Sequence, residues 1–271
     1  MNIHPTAIVS PRATIADDVE IGPHAIIGDE VVLGPGCVIQ ANAVIEGKTT
    51  LGARNRVGYG AILGAPPQDF SFTESIQSEV RIGDGNTIRE YVTIHRGSKE
   101  GTATVVGNDC YLMVGAHLGH NVQLGNGVVI ANDCLLAGYV EVGDKAVLGG
   151  GSVFHQFIRI GRMAMISGGA GFTKDIPPYT LANQDEKVSG INVIGLRRSG
   201  FAPGVRNEIR RAFKFVYWGG LNFREAVVKA RESAWAPETQ YFFDFIAASK
   251  RGICPVNRLP HGAEDAGTGD E

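Results

Sequence analysis

Aliphatic residues recur along this chain with a period of six. Counting from Ile3, the first place of each hexad is Ile3, Val9, Ile15, Ile21, Ile27, Leu33, Ile39, Ile45, Leu51, Val57 and Leu63. The phase resumes at Ile82, Ile88 and Ile94, and again from Val106 through Leu112, Leu118, Leu124, Ile130, Leu136, Val142, Leu148, Phe154, Ile160 and Ile166 to Phe172. The second place is often Gly (Gly22, Gly28, Gly34, Gly52, Gly58, Gly64), and the fifth is usually small or β-branched (Ala7, Ala13, Val19, Ala25, Val31). A helix repeats every three to four residues and a strand every two, so neither alone gives a strict six. Short strands joined by turns, wound so that each aliphatic side chain stacks on its counterpart one coil away, do give it. The pattern predicts an all-β solenoid, a parallel β-helix of hexapeptide repeats with about 18 residues per triangular coil. A rung cannot bury its apolar face alone, so stability accrues between neighbouring coils.

The phase breaks twice, over 65–79 and 97–104. Both stretches are expected to leave the prism as loops, and insertions in solenoids gather on one face, often the binding face. After Pro177-Pro178 the period stops. Residues 206–217 place Ile209, Phe213 and Val216 at helical spacing. A second helix is expected over 223–231 behind Asn222 as N-cap, and a third over 240–249 with Gly252 as its stop. The expected organisation is a β-helix over 1–189, a small helical domain over 190–258 and a disordered tail over 259–271.

Composition narrows the function. The chain has 271 residues, is 44% hydrophobic and carries a net charge of −3, which argues against a nucleic-acid surface. Its four cysteines are far apart, with no CxxC pair for a zinc ribbon or disulfide framework. No apolar run reaches membrane-spanning length, and the first residues do not read as a signal peptide. A cytoplasmic protein, not spanning a membrane, is the expectation.

Stacking arithmetic then relates the histidines. Eighteen residues beyond His120 lies Gly138, and eighteen further lies Gln156, beside His155. A general base next to a bare glycine backbone suits acyl transfer; unrelated surface histidines are the plain alternative. Asn132, Gly150 and Gly168 form a second stripe, with Gly151 and Gly169 beside it. Missing side chains on successive coils could leave a groove for an alkyl chain, or the glycines could serve turns of positive φ. His117 and His120 also admit a zinc site, although His-x-x-His is closer than the spacing of converging hexapeptide zinc ligands.

Several motifs go beyond the hexads: Pro67-Gln68-Asp69, IRExVTIHRG at 88–97, MVGAHLGHNVQLGN at 113–126, LAGYV at 136–140, VFHQF at 153–157, DIPPY at 175–179 and GINVIGLRRSGF at 190–201. Together they resemble the UDP-N-acetylglucosamine acyltransferases, which open lipid A synthesis. The resemblance covers nearly the whole chain. It implies a left-handed β-helix, a homotrimer with sites between subunits, acyl carrier protein as donor, a UDP-sugar as acceptor, and no cofactor or metal. By the same resemblance His120 is the general base, Gly138 supplies the oxyanion N–H, and Asp69, His117, His155, Gln156, Asn192 and Arg198 bind substrate. Gly168, beside Gly150, limits acyl length, and Arg206, Arg210, Arg211 and Lys214 are candidates for meeting the carrier protein.

The departures are specific. Asn121 stands where the family has Asp after the catalytic histidine, Ser71 replaces a Lys, and Tyr139, at a substrate-binding place, replaces a His. Ile194 and Ser199 replace a Glu and an Arg near the nucleotide. Asn121 can orient His120 but cannot offset an imidazolium charge, and in the serine-protease template the same change costs about 10⁴ in rate through the wrong tautomer. An amine acceptor needs a weaker base than an alcohol, so transfer to a 3-amino analogue of the sugar is the alternative. A non-catalytic hexapeptide scaffold and an acetyl-CoA-dependent acetyltransferase are the competing classes.

Overall fold

The computed structural model describes residues 2–257. Two-residue strands alternate with turns and stack into three parallel sheets, the faces of a triangular prism. The first face carries Ile21, Ile39, Val57, Ile88, Leu112, Ile130, Leu148 and Ile166 inward. The second carries Ile27, Ile45, Leu63, Ile94, Leu118, Leu136, Phe154 and Phe172, and the third Leu33, Leu51, Ile82, Val106, Leu124, Val142 and Ile160. All of them are buried, and the register sets each on its counterpart one coil away, as in Leu118 against Leu136 and Leu136 against Phe154. Phe154 and Phe172 stack with ring centres 5.5 Å apart.

The fourth place of most hexads turns the corner with positive φ. Gly does this at 115, 127, 151 and 169, but Tyr91, Asn121, Tyr139 and Phe157 do it with side chains. Gly150 and Gly168 are not in that conformation. The turn explanation therefore applies to Gly151 and Gly169 only.

The two loops leave from one corner, between the second and third faces. The strand Ile62–Ala65 pairs with Thr93–His95, and each loop follows directly. The prism ends in an antiparallel pair, Thr180–Ala182 with Val188–Ile191. That second strand straddles the boundary expected at 189/190.

Four helices follow: α1 (Val193–Arg198), α2 (Pro203–Trp218), α3 (Phe223–Ala230) and α4 (Pro237–Ala247). The helical spacing did not disclose α1, which is too short for a periodic signal. Proline at the first helical position sets the starts of α2 and α4 earlier than the apolar pattern suggested. Asn222 caps α3 through a reciprocal bond with Glu225, a capping box. Helix α4 ends at Ala247, so Gly252 is not its stop; Gly252, with φ of 77°, instead turns the chain back toward the prism. There Ile253 bridges Asp175 and Val256 bridges Val188. Arg159 and Arg162 of the third face lie over Phe245 and Tyr241 of α4, 4.2 and 4.1 Å from the ring centres. The tail expected over 259–271 lies outside the described residues.

Candidate active site

His120 sits at the corner from which both loops emerge. It is half-buried, two residues beyond the inward Leu118. One coil on, Gly138 lies directly beneath its ring. A Cβ built on Gly138 would fall 2.4 Å from His120 Cε1 and 2.5 Å from Nε2, so glycine makes the room that the imidazole fills.

The backbone at that place also leaves an N–H free. At the equivalent corner after the third face, four successive N–H groups are taken by an Asp or Asn from the next coil: Ala53 N–H by Asp84, Asp84 by Asn108, Asn108 by Asn126 and Asn126 by Asp144, at 2.7–2.9 Å. At the His120 corner the series runs His120, Gly138, Gln156. Glycine has no such acceptor, and Gln156, longer by a methylene, makes no such bond. Among the described residues the Gly138 N–H therefore has no acceptor, although its carbonyl accepts from Phe157 N–H at 3.2 Å. A free N–H beside an imidazole is competent to hold a developing oxyanion.

The rest of the neighbourhood comes from three sources. Asn121 is buried, and its Oδ1 lies 3.1 Å from His120 Nδ1. Tyr139 meets the imidazole edge-on at 5.2 Å and stacks on Phe157 at 4.8 Å. Its hydroxyl is engaged by Ser98 at 3.2 Å instead of pointing freely outward. Asp69, in the first loop, accepts from Ser71 N–H and Oγ–H at 2.9 and 2.8 Å, which holds its carboxyl below the usual range; the nearby His120 acts in the same direction. Ser71 thus orients Asp69.

His117 projects outward from the second face, with Nδ1 2.8 Å from Thr93 Oγ1. Burial, and then the neighbouring His95, push its imidazole down to about 4. It is neutral at neutral pH. His95 was not singled out from the sequence, yet it is buried and its Nδ1 donates to Pro66 C=O at 2.6 Å. Arg96 continues the attachment through Glu74 at 2.8 Å and the Phe72 ring at 5.1 Å. Only the structure reveals this pin, because it joins residues more than twenty positions apart.

His155 and Gln156 are exposed one coil beyond Gly138, and His155 Nδ1 contacts Gln156 C=O at 3.1 Å. Asn192 and Arg198 lie elsewhere in this chain. Asn192 caps α1, accepting from Gly195 N–H at 2.9 Å and donating to Met163 C=O at 3.0 Å, and Arg198 is exposed at the end of that helix. Both ends of the Asn192 amide are thus used internally. Gly150 and Gly168 stack at the corner between the first and second faces, where a Cβ on Gly168 would come 2.9 Å from Gly150 O. Among the described residues, no three His, Cys, Asp or Glu side chains converge as a metal site.

Comparison with known proteins identifies the family. Residues 175–254 match the family model for UDP-N-acetylglucosamine O-acyltransferase, domain 2, and residues 103–138 match the bacterial transferase hexapeptide model. The acyl-[acyl-carrier-protein]–UDP-N-acetylglucosamine O-acyltransferase of Syntrophobacter fumaroxidans is 44% identical over 93% of this chain and 99% of its own length. The chain belongs to that acyltransferase family. The enzyme of the same name from Burkholderia lata is 43% identical over 93% of this chain and 98% of its own. Among solved structures, the UDP-N-acetylglucosamine acyltransferase from Bacteroides fragilis superposes with a TM-score of 0.89 at 42% identity, covering 93% of this chain and 99% of that one. The enzyme from Francisella novicida gives 0.91 at 35% identity, covering 97% and 99%. The left-handed β-helix of these acyltransferases is therefore the fold of this chain, and the chain is an acyltransferase.

Proposed function

We propose that this acyltransferase moves a 3-hydroxyacyl group from acyl carrier protein to the 3-hydroxyl of UDP-N-acetylglucosamine, the opening step of lipid A assembly. The observation that carries the reading is the pairing of His120 with the unsatisfied N–H of Gly138. His120 Nε2 takes the proton of the sugar hydroxyl as its oxygen attacks the thioester carbonyl. The carbonyl oxygen gains negative charge and is held by the Gly138 N–H. Collapse expels the thiolate of the carrier, which takes the proton back from His120. Asp69 and neutral His117 hold the sugar; Gly150 and Gly168 leave the corner bare for the acyl chain.

The same reading assigns a homotrimer, and the outward side chains support it. The second face presents Ile8, Ile26, Val44, Ile62, Leu135 and Val153 outward, and the later coils of the first face present Val129, Val147 and Met165. The third face presents Arg81, Gln123, Glu141 and Arg159. A second face largely apolar outward, a first face apolar in its later coils and a charged third face suit a closed ring in which the first face of each copy meets the second face of the next. Asn192, Arg198, His155 and Gln156 then contribute from a neighbouring subunit or from the outer end of the cleft.

One observation favours nitrogen as the acceptor atom: Asn121 lends no charge to an imidazolium, which disfavours deprotonating an alcohol. The test offers the protein 3-hydroxyacyl carrier proteins with UDP-N-acetylglucosamine or its 3-amino analogue, and follows product mass. The expected result is ester from the natural sugar, lost about 10²–10⁴-fold in His120→Ala with an unchanged melting temperature. Product from the amine alone reassigns the acceptor, and no product from either returns the chain to a scaffold. Inhibition by free CoA rather than by free carrier protein points to acetyl-CoA chemistry.

A further inference from the structure

Residue 121 is an asparagine, and an amide can turn either its oxygen or its NH2 toward the imidazole. The choice matters to the base. With NH2 facing it, Nδ1 must accept, the proton sits on Nε2, and the lone pair needed for proton abstraction is gone. With oxygen facing it, Nδ1 carries the hydrogen and Nε2 is bare.

A donor that cannot be reversed decides the matter. The backbone N–H of Ser98, in the second loop, lies 2.9 Å from Asn121 Oδ1, and the atom facing an N–H has to be an acceptor. The Ser98 hydroxyl lies 3.1 Å from the same oxygen. That oxygen is also the one 3.1 Å from His120 Nδ1. The Tyr139 hydroxyl is 3.2 Å from Ser98 Oγ, so once Ser98 donates to Asn121, Tyr139 donates to Ser98. The directions then agree throughout: Tyr139 to Ser98, Ser98 to Asn121, and His120 to Asn121.

The frame around this network is rigid. Ser98 and Asn121 are both buried. The Asn121 N–H donates to Thr104 Oγ1 at 2.8 Å, and its φ of 63° is one that asparagine tolerates better than most residues. The Tyr139 ring is held between His120 and Phe157.

We propose that Ser98 and Tyr139 are positioning residues that lock the Asn121 amide oxygen-first, so that His120 keeps the tautomer with Nε2 free although no carboxylate stands beside it. The proposal rests on the reading of His120 as base. It also removes half of the objection raised by Asn121: the wrong tautomer does not form, and only the missing charge remains.

The experiment uses the full-length protein with ¹⁵N-labelled histidine. Ser98→Ala removes the hydroxyl and keeps the N–H, Tyr139→Phe removes a single oxygen and keeps the stack, and Ser98→Thr restores the hydroxyl. Each of the first two variants should lower kcat about five- to tenfold, the worth of one such hydrogen bond. KM for both substrates should change less than about twofold, since both hydroxyls are engaged within the network. Ser98→Thr should recover the wild-type kcat. The His120 nitrogen shifts should report a protonated Nδ1 in the wild type and in Ser98→Thr, and in Ser98→Ala, where only the backbone N–H still holds the amide oxygen, a raised but minor share of the Nε2-protonated tautomer. An unchanged tautomer and kcat in both Ser98→Ala and Tyr139→Phe would overturn the positioning role while leaving His120 as base, provided His120→Ala is still inactive. Full activity in His120→Ala would sink both readings at once.

Discussion

At the scale of single residues, the site depends on one side chain that is absent. Gly138 is in no left-handed conformation, so turn geometry does not demand glycine there; the imidazole of His120 does. Gly138→Ala puts a methyl group where Cε1 and Nε2 now lie. On the proposed reading, His120 must then swing away from the N–H that works with it. Such a loss of geometry at an oxyanion donor should cost about 10²–10³ in kcat. The clash is with a side chain that can rotate away rather than with backbone, so the melting temperature should stay within a few degrees, and a large fall in stability without a matching fall in kcat would argue against this account. His117 makes a separate prediction. Its native pKa, about 4, lies below the unfolded value of about 6.5. Between those values the unfolded chain binds a proton that the native chain refuses, so stability falls as pH drops through that window. The melting temperature of His117→Gln should decline less than that of the wild type from about pH 7 to about pH 5.

At the scale of elements, the two loops are the parts that give a uniform prism an active corner. The first is fastened by His95 to Pro66 and by Arg96 to Glu74 and Phe72; the second sends Ser98 inward. Asp69 rides on the first loop. Arg96 is largely buried and its Nε has no partner, so it is held chiefly by this attachment. Arg96→Ala should free the loop, speed limited proteolysis within 65–79, and lower kcat/KM for the sugar nucleotide about ten- to a hundredfold through misplacement of Asp69. An unchanged proteolysis rate would show that His95 alone suffices. These attachments mark where the sequence stopped being legible. Period six exposes every strand, because each inward residue meets its own counterpart one coil away. It exposes the stack of His120 on Gly138 by the same arithmetic. It cannot expose His95 on Pro66 or Ser98 on Asn121, since those contacts are made where the phase is broken. The short helix α1 was missed for a related reason: it is held by the Asn192 cap rather than by an apolar stripe.

At the scale of the whole molecule, the faces of the prism are unequal, and the inequality sets a test of assembly. A lone solenoid has no reason to point Ile8, Leu135 and Val153 outward, each more than 40% exposed here. The third face, whose outward positions in the later coils are charged or polar, shows what a solvated wall looks like. If the first and second faces meet between copies, a carboxylate at Val153 would be driven into an apolar seam without a partner. Val153→Glu should therefore sediment as single chains of 28.8 kDa, where the wild type, on the proposed assembly, should sediment as three. The control is Gln123→Glu on the third face, which should leave the mass unchanged. On the proposed reading activity should follow assembly, because Asn192 is held against Met163, more than two coils from His120 in its own chain, and with Arg198 would serve a site across a seam. A Val153→Glu chain that is monomeric yet fully active would place the whole site within one subunit and confine Asn192 to capping α1.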